Sequence, residues 1–181
     1  MIRRLLDVLY LVAGWLAGLF LLAIFVLMML LSVGRIVGFN IPSGDDFVAW
    51  CMAATAFLGL AHTFRSGELI RVGLVTDRIK GRAKRIVELF CLVVGLFSVG
   101  FFAWHAVILT WDSYRFNDIS QGVVAVPLFL PQLGYSGGLV ILFIAFVDEF
   151  VHALKGGVPR YEKPPPETAE ELIERAMQSG V

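Results

Sequence analysis

With 181 residues, 58% of them hydrophobic, and 15 basic against 15 acidic side chains, the chain is neutral overall and strongly apolar. Four stretches carry no charged residue: 8–34, 47–64, 89–111 and 119–147, which are 27, 18, 23 and 29 residues long. A bilayer core about 30 Å thick needs roughly 20 apolar helical residues at about 1.5 Å each, so the pattern predicts four transmembrane helices. The segments between and beyond them are too short to hold a soluble enzyme domain.

The first span is expected over about 8–34. Arg3 and Arg4 ahead of an apolar run suggest a signal peptide. However, a secretory apolar region is only about 7–15 residues long and ends at a small-residue cleavage site. The run here is longer and lacks such a site, so it reads as an uncleaved anchor. Its 27 residues exceed the hydrocarbon thickness, which calls for tilt or protrusion. Gly14 and Gly18 form a small-xxx-small pair suited to close helix contact.

The second span, about 47–64, opens on Asp45 and Asp46 after Ser43 and Gly44. Carboxylates at a helix N-terminus complement its dipole and cap free amides. One suffices for that, which leaves the other for a partner. Ala49, Ala53 and Ala56, with Gly59 beyond, recur at helical spacing and predict a packing face. Thr55 here and Ser98 in the third span are expected to serve ordinary interhelical hydrogen bonding. Cys51 and Cys91 fall near opposite ends of their spans, too far apart for a disulfide, and read as two buried apolar thiols.

Between the second and third spans, residues 66–88 read as a basic amphipathic segment. Leu69, Val72, Val75, Ile79, Ala83 and Ile86 recur every three or four positions, and Arg71, Arg78, Arg82 and Arg85 lie elsewhere on the wheel. That arrangement suits an interfacial helix, weakened by Gly73 and Gly81, whose arginines contact phospholipid headgroups. The third span covers about 89–111. The fourth is expected at 127–150, with Pro127 and Pro131 in or near its first turn, where amides have no internal partner. Residues 119–126 then become an extended or re-entrant approach that other protein must cover. The membrane domain is 1–155. Residues 156–181 form a mobile, Pro- and Glu-rich tail with a short helix over 169–177.

Placing the N-terminus in the cytoplasm puts thirteen basic residues inside and only Arg35 and Arg115 outside, so both termini are expected inside. The chemistry is sparse. His62 and His105 lie at different depths and cannot jointly ligate a haem, and His152 lies beyond the core beside Asp148 and Glu149. The span centres carry no Asp, Glu, Lys or Arg, unlike those of pumps. No catalytic, metal or cofactor-binding residue is expected, and the small basic loop beside the membrane does not read as a nucleic-acid site. The class is an all-α integral membrane protein with an accessory role; a membrane-anchor subunit of an oxidoreductase is the alternative.

Specific motifs add to that reading. Gly44-Asp45-Asp46-Phe47-Val48-Ala49-Trp50, then Ala56-Phe57-Leu58-Gly59 and Arg65-Ser66-Gly67-Glu68-Leu69-Ile70-Arg71-Val72, resemble the small permease (Q) subunit of tripartite ATP-independent periplasmic (TRAP) transporters. Leu69 stands where histidine is usual. Residues 120–139 are similar to the approach to that family's last helix, with Phe129 replacing a tryptophan after Val126-Pro127-Leu128. The resemblance covers residues 1–154. It implies a multi-pass protein of the bacterial inner membrane that braces the scaffold of a large transport subunit and holds no substrate site. It further implies a periplasmic substrate-binding protein as partner, organic acid as cargo, and sodium coupling that resides in the large subunit. Asp45, Asp46, Ala49, Trp50, Ala53, Ala56 and Pro127 are then candidate contacts to the subunit or the docking protein.

Overall fold

The structure, a computed structural model, describes residues 2–39, 41–66 and 82–154. Its regular structure, among the described residues, is four helices and one isolated β-bridge, joined by turns and loops. Helix α1 is Ile2–Val37, α2 is Gly44–Ser66, α3 is Arg82–Arg115 and α4 is Phe129–Leu154. All four are long and apolar enough to cross a membrane. Helices α1, α2 and α3 extend past both ends of their uncharged runs and α4 past the C-terminal end of its own, because a flanking charged residue can keep helical backbone while its head group reaches towards water. Residues 67–81 and the tail lie outside the described residues, and with them Arg71, Arg78 and the expected helix at 169–177. Of the basic amphipathic segment, 82–88 is described, and it forms the first two turns of α3.

Packing gives the spatial order α1, α2, α4, α3. Helix α1 lies along α2, α2 along α4 and α4 along α3, with a slight touch between α1 and α4. Among the described residues α3 makes no comparable contact with α1 or α2. The molecule is therefore a row of helices rather than a closed four-helix bundle. The α1–α2 link is short, which forces antiparallel neighbours. Helices α2 and α3 follow each other in the chain, yet α4 lies between them.

Small side chains make the contacts. Ala13, Ala17, Ala54 and Leu58 form one buried cluster between α1 and α2. Tyr10, Ala61, Phe64, Leu142 and Ala145 form a second where α1, α2 and α4 meet. Ala103, Ala106 and Leu139 join α3 to α4. Lipid tails are as apolar as leucine, so helices in a membrane gain little by hiding apolar surface and associate instead through close fit. Gly134 and Gly138 provide the closest fit. A Cβ on Gly134 would lie 2.7 Å from Ala54 Cβ, and one on Gly138 would lie 2.7 Å from the Leu58 backbone nitrogen. Against α3 the relation reverses, with α4 supplying rings and α3 the glycines. The Phe143 ring fills the space over Gly100, and Phe146 fills that over Gly95 while stacking on Phe64 at 4.2 Å.

Candidate functional site

Two chain reversals meet at the end of the row where α1 finishes and α2 begins. Helix α1 closes through Gly38, whose φ of 81° lets the Phe39 amide donate to the Gly34 carbonyl at 2.8 Å. This 6→1 bond satisfies a carbonyl that the helix itself leaves open. Helix α3 ends the same way with a different residue. Asn117 takes φ 52°, and the Asp118 amide donates to the Ser113 carbonyl at 3.0 Å. Asparagine tolerates this left-handed region better than most residues.

The segment expected as an extended approach is instead a small hairpin. Ile119 bridges Pro127, the Ser120 amide donates to the Val126 carbonyl at 2.8 Å, and the Leu128 amide donates to the Asp118 carbonyl at 2.9 Å. The Ser120 hydroxyl donates to the Val124 carbonyl and accepts from the Val126 amide. The segment thus satisfies part of its backbone internally. Helix α4 begins at Phe129, two residues after Pro127, and Pro131 falls in its first turn as expected of that residue.

The hairpin docks on α2. The Val124 amide donates to Ser43 Oγ at 3.0 Å, and Gly122 sits against Asp46 Oδ2 and Ser43 Oγ, so that a side chain there would have to displace the tips of both. Asp45 and Asp46 occupy the first turn of α2. Ser43 precedes that turn with φ 56°, but its hydroxyl serves the hairpin rather than the helix amides. Carboxylates at that place complement the dipole of α2. A cleft of about 670 Å³ opens here, lined by Arg35, Asp45, Asp46 and Gln121 together with Leu31, Phe39, Ile41 and Val123. Its lining thus mixes charged and polar groups with apolar ones.

The remaining expected contacts lie elsewhere. Trp50 is half-buried, edge-on to Phe47 at 5.1 Å. Ala49 and Ala56 are exposed and Ala53 half-buried, whereas the buried small residues of α2 are Ala54 and Ala61. The expected stripe is therefore not the face that packs within this chain. Pro127 is exposed in the hairpin neck, away from the residues that line the cleft. Arg82 and Arg85 lie in the first turn of α3. Both cysteines are free, but Cys91 is exposed and Cys51 only half-buried, which corrects their reading as buried thiols. Thr55 donates to its own helix at the Cys51 carbonyl rather than to a neighbouring helix. His62 reaches across to α1, where its Nδ1–H donates to the Tyr10 carbonyl at 3.2 Å and its ring covers Gly14. A Cβ added at Gly18 would meet nothing within 4 Å beyond its own stretch of helix.

Sequence reading passed over the Gly134/Gly138 pair, Ser43, Ser120 and Gly122. A Gly-x-x-x-Gly spacing at 134–138 was the available signal for the first. The serines carry no such signature, because their partners are 81 and 4–6 residues away.

A search among curated proteins finds no match to the chain. A family model described as "Tripartite ATP-independent periplasmic transporters, DctQ component" matches residues 24–156, which takes in α2, α3, α4 and the C-terminal two-fifths of α1. That match covers most of the chain and agrees with four helices able to span a membrane. The chain is therefore a multi-pass membrane protein that belongs to the DctQ-component family of tripartite ATP-independent periplasmic transporters.

Proposed function

We propose that this chain is the small membrane subunit that braces the scaffold of a large transport subunit, in an uptake system driven by sodium and supplied with organic acid by a periplasmic binding protein. The observation that carries the reading is the open row of helices. A single layer leaves both broad faces uncovered, with Trp15 74% and Phe97 77% exposed on the two edge helices, and a brace needs such faces. Charge-free span centres fit a subunit that holds no ion or substrate itself. The exposed Ala49 and Ala56 offer a face on α2 that another backbone could approach.

The thirteen-to-two bias of basic residues supports an N-in, C-in topology in the bacterial inner membrane. The cleft at Asp45, Asp46 and Arg35 then faces the periplasm, where the binding protein docks. Arg71, Arg78, Arg82 and Arg85 would lie at the cytoplasmic headgroups, worth at most about 1 kcal/mol each. Reconstitution tests the reading. Large subunit, this chain and binding protein together in proteoliposomes should take up an organic acid down an imposed sodium gradient. Undiminished uptake when this chain is omitted would remove the bracing role, and uptake by this chain without the large subunit would remove the accessory one.

A further inference from the structure

Polar groups inside a membrane-spanning helix are usually satisfied by that helix or by a neighbour. Three threonines here follow the first course. Thr55, Thr63 and Thr110 each donate to the carbonyl four residues earlier, at 2.8–2.9 Å. Ser98 and His105 on α3 do not. Both are exposed, and among the described residues neither side chain has a hydrogen-bond partner; His105 only leans on the Phe101 ring at 4.4 Å. Ser98 is at the middle of the 34-residue helix. His105 is ten residues from its end at Arg115, or about 15 Å at 1.5 Å per residue. Both therefore lie at hydrocarbon depth, where acyl chains offer no hydrogen bond and an unsatisfied polar group is costly.

The two residues are aligned. At about 100° per residue, seven positions return to within about 20° of the start, so Ser98 and His105 share one line along α3. Val107 and Trp111 project to the opposite flank, where they line an apolar groove of about 740 Å³ with Leu133, Gly137 and Val140 of α4. The polar line is thus separate from the groove. It lies on an edge helix whose main packing, among the described residues, is on α4, with Phe101, Phe102 and Leu109 exposed around it.

We infer that this flank of α3 receives a transmembrane helix of the large transport subunit, one that presents hydrogen-bonding side chains at the depths of Ser98 and His105. Lipid tails do not supply those groups. A neutral imidazole has one donor and one acceptor, and a hydroxyl has both, so the partner helix needs two polar side chains spaced about two turns apart. The inference rests on the subunit role proposed above and assigns that role a face.

The test uses the co-expressed complex. A photo-reactive amino acid at position 98 or 105 should crosslink to the large subunit at least about fivefold more than one at 107 or 111. The Ser98→Ala/His105→Leu double variant should insert at the wild-type level yet retain about tenfold less large subunit on purification, at about threefold for each lost interhelical bond. His105→Gln keeps a donor and an acceptor and should recover most of its share. Crosslinks from 107 and 111 alone would overturn the face but leave the subunit role standing. So would adducts to lipid or to a second copy of this chain, or full retention by the double variant. A wild-type chain that captures no large subunit would overturn both.

Discussion

Gly138 shows what a single missing carbon does in this fold. Its Cα approaches the backbone of α2 so closely that even a methyl group would meet the Phe57 carbonyl carbon at 2.5 Å. Backbone cannot swing aside as a side chain can. Gly138→Ala is therefore expected to force α2 and α4 apart and to cost about 1–3 kcal/mol. Gly18→Ala is the matched control. That glycine has open space around it, so the added methyl should be neutral, or stabilising by up to about 1 kcal/mol through helix propensity. Denaturant titration of both variants in mixed micelles, followed by helix signal, compares them directly; equal stabilities would refute the close-contact account. The sequence shows both glycine pairs at the same spacing and does not rank them. Their difference arises from what stands opposite, which is a backbone for Gly138, a histidine ring for Gly14 and nothing for Gly18.

At the level of elements, the helices were legible and their ends were not. An uncharged run reports where hydrocarbon must be crossed, and four such runs point to four helices. Helix ends depend on backbone geometry instead, at Gly38 after α1 and Asn117 after α3. Gly38 follows a common stop signal, whereas Asn117 sits inside a polar stretch where several residues could have served. Asn117→Val should strain the left-handed position by about 1–2 kcal/mol, loosening the Asp118 amide from Ser113. Asn117→Gly should keep the bond. Hydrogen exchange at the Asp118 amide reads the difference, and equal protection in both variants would show that the cap does not depend on this conformation. The hairpin after it was missed for a related reason. Residues 119–126 are apolar enough to resemble membrane approach, but Ser120 bonds to both Val124 and Val126 and folds the segment on itself. Composition gives no hint of that dual use.

For the whole molecule, the order of helices in the row was the least legible feature. In water, an amphipathic stripe reveals which side of a helix faces its neighbours. In a bilayer the side that meets lipid is as apolar as the side that meets protein, so the stripe fades and only small-residue contacts mark the neighbours. The row itself has a consequence for stability. Its share of buried residues is low even within the spans, from 6% of the most apolar stretch of α1 to 33% of that of α4. Stability gained from self-packing is correspondingly small, and much of it is expected to come from a partner. A partner that binds only the folded chain adds about 2.7 kcal/mol when its free concentration is 100-fold above Kd. Purified alone in detergent, this chain should unfold at a lower temperature and drift towards aggregates over hours. Co-purified with the large subunit, it should stay monodisperse, with an unfolding temperature that rises with the concentration of that subunit. The two preparations are compared by thermal scans and size-exclusion profiles in the same detergent. A solitary chain as robust as the complexed one would mean that the row is self-sufficient, and the open faces would then belong to lipid.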